Sequence, residues 1–321
     1  MSRTLKILKD WSLILAIVAG VAAYFIYVNI PALANTRQLA SDVVAVVQPL
    51  LIFSMLTITF CRVDLTDLRF RRWHVWHLLI QGGIFGLLGI LLILLPDFDY
   101  RVEIEGAMLC LICPTATAAA VITRKLGGNV ASVTTYTILI NMLTALLIPV
   151  MVPFVHPHPT LTVLSSGLLI MSKVMPLLLL PLVAAMVMKK VLPRVHDSLA
   201  RRQELSFYLW LVALALAIAV TTRSIVHTTV PVSTQVALVV ISLACCLLQF
   251  YIGRRIGIRY GETVTAQQSL GQKNTVVAIW MGYTFFSPVT AMVGGFYSVW
   301  HNLVNSWQLY RQSKVGASKV E

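Results

Sequence analysis

Two short clusters of polar and helix-breaking residues interrupt long apolar runs in this chain, and chemistry is most plausible there. The first reads Cys113-Pro114-Thr115-Ala116-Thr117-Ala118-Ala119-Ala120, the second Ser269-Leu270-Gly271-Gln272-Lys273-Asn274-Thr275. Hydroxyls, carboxamides and one primary amine make a set of neutral donors plus one fixed positive charge, which suits binding of a small anion without arginine. They do not make a catalytic set. An enzyme needs an activated nucleophile, paired carboxylates or a metal cluster at one depth. Here His74, His77, His156, His158, His196 and His227 fall near the ends of apolar runs or between them, and the 12 acidic residues can be assigned to loops, tails or span ends. No enzymatic activity is expected. Cys110 and Cys113 have the spacing of a weak metal or redox pair, but no second pair or ligand-spaced histidine accompanies them. With Cys61, Cys245 and Cys246 they lie in or at the ends of apolar runs, so packing thiols are expected, with no disulfide framework and no metal site.

The elements that position these clusters follow from composition. Hydrophobic residues make up 58% of the 321 positions and charged residues 12%, too little polar surface for a water-solvated globule. Runs of about 20 apolar residues, the length that crosses the hydrocarbon of a bilayer, recur throughout. Spans are expected at 11–33, 43–60, 75–95, 106–123, 130–154, 161–188, 206–222, 229–253, 264–286 and 289–310. The first run follows a basic stretch containing Arg3, Lys6 and Lys9, as a secretory signal would, but it is long and no small-residue cleavage site follows it, so it reads as a span. The net charge of +13 sorts by membrane side. Alternate loops collect Arg62, Arg69, Arg71 and Arg72, then Arg124 and Lys125, then Lys189, Lys190, Arg194, Arg201 and Arg202, then Arg254, Arg255 and Arg259, and finally Arg311, Lys314 and Lys319. The basic charge is therefore topology and does not call for nucleic acid. A multi-pass protein of the cell inner membrane is expected, all-α, with ten transmembrane helices, both termini cytoplasmic, the lipid bilayer as its partner and a monomeric state.

Depth places the two clusters together. Thr115 falls midway between Glu105 and Arg124, and Lys273 lies ~16 Å along a helix from Glu262, near the midplane. The fourth span runs inward and the ninth outward, five spans apart, as an inverted repeat of five plus five helices requires, with repeats at 1–160 and 161–321. Broken crossover helices four and nine at corresponding positions of inverted halves point to a transporter's binding site. Lys273 is too deep to snorkel, since it would have to reach ~15 Å. Lys173, ~24 Å from the inner boundary, is close enough to the outer interface to do so.

The same residues carry a family resemblance that covers nearly the whole chain. Its marks are the cysteine-proline crossover running on to Gly128-Asn129-Val130-Ala131, Phe285-Phe286-Ser287-Pro288, Phe296-Tyr297-Ser298-Val299-Trp300-His301-Asn302, Leu56-Thr57-Ile58-Thr59 and Leu180-Pro181-Leu182. They resemble those of the bile acid:sodium symporter family. The resemblance implies ten helices in an inverted repeat, with panel and core domains each assembled from both repeats. It implies secondary transport of organic anions, from sterol conjugates to small keto and hydroxy acids. It also implies substrate contacts at Thr115, Thr117, Asn274, Thr275, His301 and Asn302, although His301 serves equally well as an interfacial cap near the end of its span.

In that family two sodium ions sit beside the crossover, and the corresponding positions are Gln81, Ala119, Ala120, Val133, Thr137, Ser269, Gln272 and Lys273. Alanines and a valine stand where oxygen ligands are expected, and an ammonium stands where a cation should bind. A hard cation needs several oxygens. Two like charges ~4 Å apart at an effective dielectric of ~20 cost about 4 kcal/mol. The expectation is a secondary transporter of a small organic anion, a carboxylate, that is not sodium-coupled and needs no cofactor, with Lys273 as a tethered cation at the former sodium site. Proton coupling, uniport and exchange all remain open. The alternatives are a sodium-dependent organic anion or bile acid symporter that retains a residual site, a channel, and a ligand-binding membrane sensor without flux.

Overall fold

The computed structural model describes residues 12–63, 66 and 68–317. Arg3, Lys6, Lys9 and Lys319, and with them the cytoplasmic placement expected of both termini, lie outside the described residues. The chain is an all-α polytopic membrane protein, with thirteen α-helices and one 3-10 helix among the described residues. Six helices are long and apolar enough to cross a membrane: Pro31–Phe60, Arg72–Leu94, Val130–Val155, Val163–Val191, Leu205–His227 and Val232–Arg259. Two shorter apolar helices, Ile14–Asn29 and Thr275–Phe285, accompany them.

By its internal contacts the chain divides into two units, each drawn from both halves of the sequence. The smaller takes residues Met1–Arg62 and Leu180–Thr229. It holds α1 (Ser12–Asn29), the 3-10 helix Pro31–Thr36, α2 (Arg37–Phe60), the end of α7 (Val163–Val191), α8 (Pro193–Arg201) and α9 (Gln203–His227). Its centre is the seam of α1 and α9, where Ala16, Leu214 and Ile218 are buried with Ile17, Val21 and Leu211 packed against them. Gly20 lets the two backbones approach, since a Cβ there would overlap the carbonyl oxygen of Ala215 and the side chain of Ile218. Tyr24 of α1 meets the Nε2 of His227 at 2.8 Å at one end of the same seam.

The larger unit takes Val63–Leu179 and Val230–Glu321. It holds α3 (Arg72–Leu94), α4 (Arg101–Ile112), α5 (Ala119–Lys125), α6 (Val130–Val155), the start of α7, α10 (Val232–Arg259), α11 (Thr263–Gly271), α12 (Thr275–Phe285) and α13 (Pro288–Ala317). Its turns have local causes. Gly127, at φ +78°, and Gly261, at φ +69°, take the left-handed conformation that ends α5 and α10, which a side chain would strain. Asn129 then starts α6 by accepting from the Ser132 amide at 3.0 Å, and Ser287 starts α13 by accepting from the Thr290 amide at 3.0 Å. The expected fourth and ninth spans are each split, into α4 with α5 and α11 with α12.

If the α1–α9 seam depends on backbone approach, Gly20→Val should destabilise the protein by about 1–3 kcal/mol through overpacking. Gly83→Ala, where a Cβ meets nothing within 4 Å, should leave stability unchanged or raise it slightly. Thermal melts of both variants in detergent test the contrast.

Candidate functional site

Breaking a helix within an apolar environment exposes backbone groups that must find partners inside the protein. The two breaks solve this by pairing with each other. Thr115 and Lys273 form an isolated antiparallel β-bridge. The Ala116 amide donates to the Gln272 carbonyl at 3.1 Å, and the Asn274 amide donates to the Pro114 carbonyl at 2.8 Å. Thr115 Oγ1 donates to the Ser269 carbonyl at 2.7 Å, and Cys113 Sγ lies 3.0 Å from the Asn274 carbonyl. Pro114 has no amide to donate, so its carbonyl can enter the bridge without leaving a donor orphaned.

The last carbonyls of α4 are then bonded one by one. Leu109 accepts from the Cys113 amide at 3.2 Å. Cys110 accepts from Gln249 Nε2 at 3.3 Å, and Ile112 accepts from Thr144 Oγ1 at 2.9 Å. Leu111 accepts twice, from Gln81 Nε2 and, at 3.2 Å, from the ammonium of Lys273. A cation at a helix C-terminus also meets the negative end of the helix dipole. The end of α11 is treated alike, with Tyr297 OH donating to the Gly271 carbonyl at 2.8 Å. Gly271 is required at this point because a Cβ would run into the ring of Phe250.

Lys273 is 1% exposed and is among the largest fully buried side chains. Among the described residues it has no ion pair; the ionisable groups around it are the thiols of Cys110, Cys113, Cys245 and Cys246 and the ring of His77. Lys173 is exposed on α7, in keeping with a snorkelling side chain. All five cysteines are free thiols, and no group of three or more His, Cys, Asp or Glu among the described residues could hold a metal.

The other expected site residues gather around this bridge to different degrees. Thr115, Asn274 and Thr275 are buried in it, and Thr117 is half-buried at the turn before α5. Asn274 Oδ1 accepts from the Val277 amide at 3.4 Å, leaving the Thr275 and Val276 amides at the start of α12 without partners among the described residues. His301 is buried against Tyr297, ring centroids 5.7 Å apart, with its Nδ1 unpartnered. Asn302 is half-buried and donates to the Ser298 carbonyl one turn back at 2.7 Å.

The positions where the family resemblance places sodium ligands differ in the oxygens they carry. Ala119 and Val133 are fully buried and, like Ala120, carry no side-chain oxygen. The Gln81 carboxamide oxygen already accepts from Tyr136 OH, whereas Thr137 Oγ1, which donates to the Val133 carbonyl at 2.9 Å, and Gln272, whose Nε2 donates to Gln268 Oε1, keep their oxygen lone pairs. Ser269 Oγ is buried without a hydrogen-bond partner among the described residues.

The structure adds residues that sequence reasoning passed over. Tyr136, Gln249 and Thr144 hold the breaks together with Tyr297, which entered above only as part of a family string; Gln249, an amide in a long apolar run, carried a visible signal. His77, assigned above to a span end, is wholly buried, its ring centroid 4.8 Å from that of Trp73 and 5.3 Å from that of Tyr136. Glu103 and Glu105 are also buried on α4, because Glu105 finds Arg101 Nε at 3.1 Å, His156 Nε2 at 3.0 Å and Thr290 Oγ1 at 3.0 Å. Burial of these three residues depends on which face of a helix meets its neighbours, which position along a run does not reveal.

Tyr297→Phe should leave the Gly271 carbonyl without its donor and destabilise the protein by about 1–3 kcal/mol. Thr144→Val should do the same to the Ile112 carbonyl. Melting of the single and double variants checks both; the two sites share no partner, so their effects should add.

No curated protein matches the chain. The model of the SBF-like CPA transporter family (DUF4137), a family related to the bile acid:sodium symporters, matches residues 11–301, and the chain belongs to that family.

Proposed function

We propose that this member of the SBF-like CPA transporter family carries a small organic anion, a carboxylate, across the cell inner membrane by alternating access, with Lys273 in the place of a coupling sodium ion. The observation that carries this reading is the imbalance at the paired breaks. Backbone acceptors there are bonded by protein donors, including the buried ammonium of Lys273, whereas the donor end of α12 at Thr275 and Val276 has no partner among the described residues. A site with its acceptors taken and its donors free selects an anion. Lys273 does not need to touch the substrate. In a low-dielectric interior its charge acts at a distance, lowering the energy of an anion held by Thr117, Asn274, Thr275, His301 and Asn302.

Sodium independence rests on the ligand positions at Ala119, Ala120, Val133 and Lys273, which offer hydrocarbon and a like charge where oxygens are needed. Ten crossings in a five-plus-five inverted repeat remain the reading that best accommodates the split pairs α4–α5 and α11–α12. The smaller unit then corresponds to a panel domain and the larger to a core domain, and both termini are cytoplasmic.

Uptake of labelled monocarboxylates into proteoliposomes tests the reading. Saturable uptake with counterflow, unchanged when choline replaces sodium, is the expected result. Lys273→Gln should weaken substrate affinity by about tenfold or more, equivalent to about 1.4 kcal/mol or more. Uptake that stops on sodium withdrawal would identify a sodium-coupled symporter instead, and ligand binding without flux would identify a sensor.

A further inference from the structure

A second polar site lies in the larger unit, away from the crossover. It is a recess of about 270 Å³ lined by Arg69, Arg71, Asn129, Ala131 and Ser132, where the segment before α3 meets the start of α6. Two guanidinium groups border it. Arg71 is shared with Glu262, whose carboxylate lies 3.4 Å from its Nε, so the two arginines and that carboxylate leave one net positive charge. The floor is the first turn of α6. Asn129 is anchored by its amide to Thr265 Oγ1 at 2.9 Å and caps the Ser132 amide at 3.0 Å, while the Val130 and Ala131 amides have no acceptor among the described residues.

Ser132 makes this more than a helix end, because the residue is 3% exposed, lines the recess and has its hydroxyl met by a histidine of α3. His74 Nδ1 accepts from the Arg71 amide at 3.2 Å, so that nitrogen carries no hydrogen. The hydrogen of His74 is then on Nε2, which donates to Ser132 Oγ at 3.3 Å. The hydroxyl oxygen is thus engaged as an acceptor, and its own hydrogen has no protein acceptor among the described residues. Hydroxyl, backbone amides and guanidinium groups are all donors, contributed to the recess by residues of two separate segments of the chain. That arrangement suits a tetrahedral oxyanion with three terminal oxygens better than a planar carboxylate with two.

We infer that this recess binds a phosphate group, supplied by an anionic lipid headgroup or by phosphate in solution. Phe70 between the two arginines and Trp76 one turn into α3 are exposed at 62% and 49%, the aromatic-with-arginine surface of a protein segment at headgroup level. The inference does not depend on how the crossover works.

The test uses the purified full chain in a neutral detergent, reading the ligand-induced shift in melting temperature against each variant's own baseline. Phosphatidylglycerol is compared with phosphatidylcholine, and inorganic phosphate is added separately. The expected result is a rise of a few degrees with phosphatidylglycerol or inorganic phosphate and none with phosphatidylcholine. The rise should fall to background in Ser132→Ala and Arg69→Gln, return in Ser132→Thr, and persist in Arg72→Gln, whose side chain does not line the recess. A rise with phosphatidylglycerol that inorganic phosphate does not reproduce assigns the group to lipid; a rise that inorganic phosphate reproduces alone assigns it to solution. Equal shifts in the wild-type chain and the Ser132→Ala and Arg69→Gln variants, equal shifts with the two lipids, or no shift with any ligand would overturn the proposal. Native mass spectrometry of lipid retained by Ser132→Ala and Arg69→Gln gives an independent count for any variant too unstable to melt cleanly.

Discussion

A backbone that stops being helical inside an apolar environment has to find a partner for every amide and carbonyl it exposes, and the larger unit is organised around that requirement. Two breaks supply one another through the Thr115–Lys273 bridge, and the remaining carbonyls are reached by side chains from four other helices: Gln81 on α3, Thr144 on α6, Gln249 on α10 and Tyr297 on α13. Each of these donors is held by helix packing, so the breaks can persist only if α3, α6, α10 and α13 are all in place. Stability and site geometry are therefore one problem in this protein.

Lys273 is the unusual member of that set. A buried ammonium without a counterion is costly, and here it is placed where the cost is reduced by a helix C-terminus, a carbonyl acceptor and polarisable thiols. The Glu105 network handles the opposite charge by a different means, pairing a buried carboxylate directly with Arg101, His156 and Thr290. The two charges sit in separate networks, and among the described residues the ammonium has one hydrogen-bond acceptor, the Leu111 carbonyl. The recess at Arg69, Arg71 and Ser132 is a third local solution, in which donors outnumber the acceptors the protein provides. A helix start, a buried hydroxyl and guanidinium groups leave an excess of positive potential there, as the α12 start does at the crossover.

Much of this was legible in the amino-acid sequence. Apolar runs of membrane-crossing length and the breaks in the expected fourth and ninth segments are local properties, readable because hydropathy, proline and glycine act on their own segment of chain. What only the tertiary structure decided is which groups meet. Tyr136, Tyr297 and Thr144 look like ordinary span residues until packing turns them toward the open carbonyls. His77, Glu103 and Glu105 look peripheral until the same packing buries them. The direction of the Ser132 hydroxyl depends on a histidine 58 positions away. A side chain's partner is set by helix rotation and contact, and these are properties of the whole assembly of helices that no single stretch of sequence contains.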